Sequence, residues 1–322
     1  MKTTVVGAYP KLSDEHQDLR RALHKVDRGE LDEAGIAGQL DATTAWAIRE
    51  IEAAGVDVVN DGQIRWDDLL APFARAWRNT DRGPLERFYD NNTYFRQPVI
   101  SGPIESDGRT LVADFAKAKA IAKGELKAAI CGPLTFATLT AQDAHYKDLA
   151  SRTLAVADAL AAELRGLAAA GATLVDVEEP ALAAHPEHVD LAHAAFDCLA
   201  KAGVALALYP YFFPNTNLVE ALANFPVAQV GLDVRSRETS ARAIDRLGVV
   251  KQTVVLGIVD ARNTRVETPR ELGEIVDAAL RHVPADRLWL SPTTGLEFLP
   301  HDVAVRKLGA LTDAARSLGG VR

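Results

Sequence analysis

Residues 287–302 read RLWLSPTTGLEFLPHD, and their reading decides the fold. Leu288-Trp289-Leu290 is a short apolar run of the kind that forms a strand buried on both faces. It ends in Ser291-Pro292, opens into a loop, and meets His301-Asp302 at the start of a helical pattern. Strand, loop and helix in that order make the repeating unit of an α/β barrel, whose loops after the strands carry the chemistry. Here the loop offers Thr293 and Thr294 but no Cys, His or Asp beside the strand end.

The same unit recurs along all 322 residues. Strands are expected at 3–6, 57–60, 126–130, 173–177, 204–209, 227–232, 253–257 and 288–291. Helices are expected at 43–54, 115–122, 150–170, 191–201, 239–247, 269–281 and 302–317, with Thr268 capping the helix that begins at Pro269. This pattern predicts an α/β fold, a (β/α)8 TIM barrel in one domain over 1–322. A doubly wound sheet would more often carry a glycine-rich phosphate loop after its first strand, and Gly7-Ala8-Tyr9-Pro10 is not one. Between the second and third strands lies an insertion, about 78–112. Its segments 98–104 and 110–112 read as a β-hairpin turning at Asp107-Gly108.

Net charge is −8, and the Lys and Arg are scattered among acids. No basic block supplies the footprint that a nucleic acid or an anionic membrane requires. Nothing approaches the ~18 consecutive apolar residues of a membrane span. Cys131 and Cys198 are far apart and the chain enters its first strand without a leader, so a cytoplasmic location is expected.

Past the strand ends stand Gly7 to Pro10, Asp61-Gly62-Gln63, Cys131-Gly132-Pro133, Glu178-Glu179-Pro180, Pro210-Tyr211, Asp233, Asp260 and Ser291 to Gly295. Alternation along a strand means that Glu178 and Glu179 cannot both face the mouth; one faces the site and the other braces the wall. Asp61 and Asp260 suit either a site or a turn. Cys131 reads as a buried small hydrophobe rather than a nucleophile. Among the histidines, His145 and His301 are the two placed to reach the site, although His301 also suits a helix start.

Several stretches resemble, in order and spacing, the cobalamin-independent methionine synthase family. They are TTVVGAYPK (3–11), GVDVVNDGQIRWDD (55–68), RFYDNNTYFRQPVI (87–100), CGPLTF (131–136), VDVEEPAL (175–182), LGIVDARNTRVET (256–268) and LWLSPTTGLEFLPHD (288–302). The resemblance implies a methyltransferase that moves a methyl group from a methyltetrahydrofolate to homocysteine, the thiol being activated on zinc. It also implies a two-barrel full-length enzyme, whose zinc ligands are a His-x-Cys pair, an acid and a Cys. In this chain those positions fall near Leu208 and Pro210, at Asp233, and near Thr294. Where the family usually has Ser, Glu and Asp for homocysteine, this chain has Ala8, Gln63 and Glu178. No metal ligands are therefore expected. The chain resembles the non-catalytic N-terminal barrel, which contributes to folate binding, at least as much as the catalytic one.

Three readings follow. The first is a methionine-synthase-type barrel working with a separately encoded zinc-bearing barrel. Arg96 or Arg262 would then pair with glutamyl carboxylates. The second is an autonomous, zinc-independent methyltransferase using Glu178, Asp233 or Asp260 as base. The third is a barrel lyase or decarboxylase acting on a carboxylated substrate through Asp61, Asp233 and Arg235. The expected catalytic residues are Glu178, Asp233 and Asp260. The expected substrate-binding set is Tyr9, Asp61, Gln63, Trp66, Asn92, Tyr94, Arg96, Glu179, Tyr211 and Thr294. The insertion suits either a ligand lid or a homodimer surface.

Overall fold

The structure, a computed structural model, describes residues 1–12, 17–89, 93–213, 216–235 and 240–319. In chain order the strands are β1 (Lys2–Thr3), β2 (Val58–Val59), β3 (Arg78–Arg87), β4 (Tyr94–Glu105), β5 (Glu125–Leu126) and β6 (Ala128–Cys131). They continue with β7 (Gln142–Asp143), β8 (Leu174–Glu178), β9 (Ala205–Tyr209), β10 (Gln229–Asp233), β11 (Thr253–Val259) and β12 (Leu288–Pro292). Seven of them form a parallel sheet in the order β1-β12-β11-β10-β9-β8-β6. Runs such as VVLGIV in β11 are buried along nearly their whole length, because helices cover one face and inward side chains fill the other. The sheet is curled. The β2–β5 pair lies by its edges, tied to Thr4 by a bridge at Val58 and to Lys127 by an N–H···O bond from its amide to Val59 at 2.9 Å.

The outer helices begin where the sequence supplies caps. Asp32 accepts from the Gly35 amide, Asp148 and Ser151 form a capping box before Leu149–Ala169, and Thr268 with Glu271 does the same before Pro269–Ala279. Each such cap contributes about 1 kcal/mol. Expected strand ends agree within two residues for most strands. The helix expected at 43–54 is instead a longer Glu33–Ala53, preceded by an unexpected helix, Gln17–Asp27. Among the described residues no helix is long and apolar enough to cross a membrane.

The expected hairpin is corrected. Its two strands are β3 and β4, antiparallel from Arg78↔Glu105 to Arg87↔Tyr94, and β7 extends the ribbon. Asp107-Gly108 is not its turn: Asp107 accepts from the Arg109 amide, and the chain runs on into helix Val112–Ile121. The buried Glu163 carboxylate decides this. It takes the Thr110 amide at 2.9 Å, the Trp77 indole N–H at 3.0 Å and the Ser106 and Thr110 hydroxyls, which clamps the base of the ribbon to helix Leu149–Ala169.

Period-two alternation along β8 puts Asp176 and Glu178 on one face. Asp176 meets Lys127 at 2.6 Å, both fully buried, as an ion contact beside the Tyr209 ring. Burial pushes Asp176 up to about 6 against the pull of Lys127. One step further along the same face, Glu178 reaches the mouth.

Candidate active site

At the carboxyl ends of the strands opens a cleft of about 730 Å3, counted to its open mouth. Glu178 lines it and is 2 % exposed. One carboxylate oxygen accepts from Gln63 Nε2 and the other from the Tyr211 hydroxyl. Loss of water pushes Glu178 up to about 7, and its two donors hold it from rising further. A carboxyl group balanced near neutrality is suited to taking or giving a proton.

Local backbone geometry aims these donors. Gln63 sits in the left-handed region at φ 49°, after Gly62, with its amide on Asp61 Oδ1 at 2.9 Å. The Gly62 carbonyl accepts from the Tyr9 amide at 2.9 Å, which ties this turn to the loop after β1. Phe212, beside Tyr211, has φ 74°. A non-glycine residue in this region costs about 1–2 kcal/mol, and both such residues line the cleft.

Aromatic side chains make the walls: Trp66 after β2, Phe88, Tyr94 and Phe95 from the ribbon, Tyr211 and Phe212 after β9, and Phe298 after β12. Phe212 lies 5.8 Å from both Phe88 and Phe298, centroid to centroid, so the three segments meet there. Arg262 stacks over Phe212 at 5.5 Å.

A second carboxylate, Glu297, also lines the cleft. The Ala8 carbonyl accepts from the amides of Leu296 and Glu297, so the loops after β1 and β12 are locked together. Gly7 and Gly295 allow that approach: a Cβ on Gly7 would stand 2.9 Å from the Gly295 Cα, and one on Gly295 would stand 2.0 Å from Glu297 Oε2. Desolvation, and then the charge of Glu178, push Glu297 upward. Glu297 nevertheless retains substantial solvent exposure, which tempers the desolvation. Lys11 lines the cleft too, its ammonium donating to the Trp66 carbonyl at 2.7 Å. Burial lowers its pKa against the opposing charges of Asp67, Glu297 and Asp68.

The cleft gathers Tyr9, Gln63, Trp66, Tyr94, Glu178 and Tyr211 of the expected residues. Asp233 borders a smaller neighbouring pocket with Tyr211, Ser291 and Thr293. Asn92 lies outside the described residues. The other expected residues do not line the cleft. Asp61 and Asp260 are turn formers, accepting from the Gln63 and Arg262 amides. Arg96 turns its guanidinium to the Gly83 carbonyl. Thr294 is buried within the loop after β12. Glu179 faces away and binds the Leu134 and Thr135 amides and the Thr135 hydroxyl. Behind the Tyr9 wall, His301 and Tyr9 share the Glu50 carboxylate at 2.7 and 2.5 Å. The Cys131 thiol is raised well above its ordinary value by burial and the two glutamates, which disfavours the nucleophilic thiolate. His145 is exposed and packs on Tyr146.

Lys11, Phe88, Phe212, Glu297 and Phe298 were not expected. The signal was nonetheless within reach, since Lys11 and Glu297 lie inside the two strand-end stretches GAYPK and SPTTGLEFLP.

The zinc implied by the resemblance does not fit these residues. Leu208 and Pro210 supply no metal-binding side chain and Thr294 offers a neutral hydroxyl, which leaves Asp233 alone. Among the described residues no three His, Cys, Asp or Glu side chains are grouped to hold a metal ion.

A family model described as "Cobalamin-independent synthase, Catalytic domain" matches residues 1–317. The chain is 27% identical over 311 residues to a methionine synthase of Sulfurisphaera tokodaii, covering 96% of this chain and 89% of that one. It is 25% identical over 319 residues to one of Saccharolobus solfataricus, covering 98% and 94%. Among solved structures, a B12-independent methionine synthase from a Shewanella species, in complex with selenomethionine, superposes with a TM-score of 0.82 at 19% identity, over 99% of this chain and 97% of that one. A putative vitamin-B12-independent methionine synthase of Listeria monocytogenes gives 0.77 at 15%, over 99% of each chain.

Proposed function

The chain belongs to the cobalamin-independent synthase family, and from that premise we propose that it is a methionine-synthase-like methyltransferase acting on homocysteine. The observation that supports this most is Glu178, held between Gln63 and Tyr211 deep in an aromatic cleft. A free thiol has a pKa of about 8.5. A carboxylate near 7 is matched closely enough to accept its proton as the sulfur attacks. The S–H proton passes to Glu178, the sulfur lone pair forms the new C–S bond, and the donor, carrying a proton from solvent on its methyl-bearing nitrogen, keeps the pair of the broken C–N bond and leaves as a neutral amine. Lys11 is placed to take the α-carboxylate of the amino acid. For the donor we favour a methyltetrahydrofolate, its flat ring stacked between Trp66 and Tyr94.

The same reading takes residues 1–322 as one domain in the cytoplasm. It also takes the curled sheet as a closed (β/α)8 barrel with the β3–β4 ribbon as its insertion. The poor match of Leu208, Pro210 and Thr294 to a zinc site favours a second reading, in which a separately encoded zinc-bearing barrel completes the reaction. Purification from the native cell separates the two: a stoichiometric barrel partner supports the second reading, and methionine formation by the chain alone supports the first. Calorimetric titration with homocysteine and methyltetrahydrofolate tests the site itself. Binding to the wild type that Glu178→Gln weakens at least about thirtyfold is expected, and unchanged affinity in that variant overturns the assignment.

A further inference from the structure

The interior beneath Glu178 holds a buried charged pair that the proton transfer above leaves without a task. Lys127 enters at the break between β5 and β6, and its ammonium lies 2.6 Å from Asp176 Oδ2, with both side chains fully buried. The register of the sheet isolates this carboxylate. Asp176 stands between Ala129 of β6 and Ala207 of β9, whose methyl groups offer it no donor. Among the described residues neither of its oxygens accepts a directed hydrogen bond, so Lys127 holds it by charge alone. The ammonium's other neighbour is Tyr209, its hydroxyl 3.5 Å and its ring centroid 5.2 Å away, and Tyr209 faces Glu178 across the β8–β9 register. Packing does not account for the pair. Barrel interiors are filled mainly by branched apolar side chains, and apolar replacement of a buried ion pair is often neutral or stabilising.

Charge balance supplies the task. Alternation along β8 puts Asp176 and Glu178 on one face, and with Lys127 they make two carboxyl groups and one ammonium with almost no contact with water. That set is neutral only when one carboxyl group keeps a proton, and a net charge away from water is costly. Lys127 touches Asp176, whereas the oxygens of Glu178 are held by the neutral donors Gln63 and Tyr211. The other ionisable groups around Glu178 are Cys131 and Tyr209 on the flanking strands, with Glu297 and Lys11 lining the same cleft. Of these Lys11 alone is a cation, and its ammonium is turned to the Trp66 carbonyl at 2.7 Å. We infer that Asp176 and Lys127 are positioning residues for the acid–base group: Asp176 keeps the ammonium from Glu178, so that Glu178 has no counter-ion and the proton it takes from substrate restores neutrality. The inference rests on the reading of Glu178 as the base in methyl transfer and deepens it. In keeping with it, burial is the main cause of the upward displacement of Glu178, and the Asp176 charge adds more to it than Lys127 takes away.

The test is a pH titration of the full chain by carbon NMR, with isotope-labelled Asp and Glu carboxyl groups assigned by through-bond correlation. Calorimetric homocysteine titrations over the same pH range run beside it. In the wild type Asp176 should ionise at lower pH than Glu178. The reverse order overturns the inference, and this arm needs no variant, so it stands even where a variant misfolds. In Asp176→Asn the freed ammonium becomes the counter-ion of Glu178, whose midpoint should fall by about one pH unit or more. The pH profile of homocysteine affinity should move down with it. In the double variant, Asp176→Asn with Lys127→Met, the ammonium is gone as well, and the midpoint should return to within about half a pH unit of the wild type. A merely structural pair would lower the melting temperature of Asp176→Asn and leave the Glu178 midpoint at its wild-type value, which overturns the inference. The carboxyl titration contains no homocysteine, so the two failures are distinct. Absent homocysteine binding counts against the methyltransferase reading, while a shifted midpoint still supports the role of the pair.

Discussion

Glu178 and Glu179 are neighbours with the same side chain, nearly complete burial and the same displacement, each pushed up to about 7 by desolvation. What they touch differs. Glu178 faces the cleft and is held by two side chains from other strand ends, Gln63 and Tyr211. Glu179 faces the wall and is held by the Leu134 and Thr135 amides and the Thr135 hydroxyl at the start of helix Pro133–Thr138. A shifted carboxyl group therefore does not by itself mark a site. The distinguishing fact is whether open space lies before it.

Four experiments sharpen or break that contrast. The largest effect is expected from Glu179→Ala, which leaves three buried donors unpaired and should cost about 3 kcal/mol or more. On the scale of 2–4 °C per kcal/mol, the melting temperature falls by roughly 6–12 °C. A smaller loss would show that the helix start relaxes onto other acceptors. Glu178→Gln comes next. Homocysteine affinity should fall at least about thirtyfold, or ~2 kcal/mol, in a calorimetric titration, while the fold persists. Loss of the fold in this variant would erase the distinction between the two glutamates.

The third experiment concerns pH. Both carboxyl groups have folded values near 7 against an ordinary value of 4.5. Below 4.5 each is protonated in both states and has no effect. Between 4.5 and 7 the unfolded chain gives up the proton while the folded chain keeps it, so stability falls as pH rises, and above 7 the whole penalty is present. The unfolding free energy of Glu178→Gln from urea titration should therefore exceed that of the wild type at pH 8 by an amount on the order of 1–3 kcal/mol, with the gap closing toward pH 5. A gap that widens toward pH 5 would show that the folded protein favours the charged form. The smallest effect is expected from Asp260→Asn. Asp260 accepts the nearby Arg262 amide in a local turn, so homocysteine affinity should stay within about twofold and stability within ~1 kcal/mol. A large loss of affinity would place the end of β11 in the site after all.

Much of this was legible before folding. Short apolar runs such as VVLGIV alternating with Ala- and Leu-rich helices state an α/β barrel-like order, and Thr268-Pro269 marks a helix start because capping is local chemistry. That one of two adjacent glutamates faces the mouth follows from strand alternation, which also predicts that its neighbour braces the wall. The hairpin was misread for a physical reason. Asp107-Gly108 is a good turn in isolation, but Glu163, 53 residues from Thr110, redirects that segment into a helix, and no local pattern records so distant a partner. Glu297 escaped notice because its place in the cleft depends on Gly295 packing against the loop after β1, at the opposite end of the chain.

The sequence by itself determined most strands of the parallel sheet and most of the outer helices, their order, and the family to which the chain belongs, since period, capping and motif order are properties of neighbouring residues. Tertiary structure alone decided which carboxylates share a cleft, which of them cap a helix instead, and how far each is shifted. Those properties depend on distance and on excluded water, and both arise only when strand ends far apart in the chain are brought to one mouth.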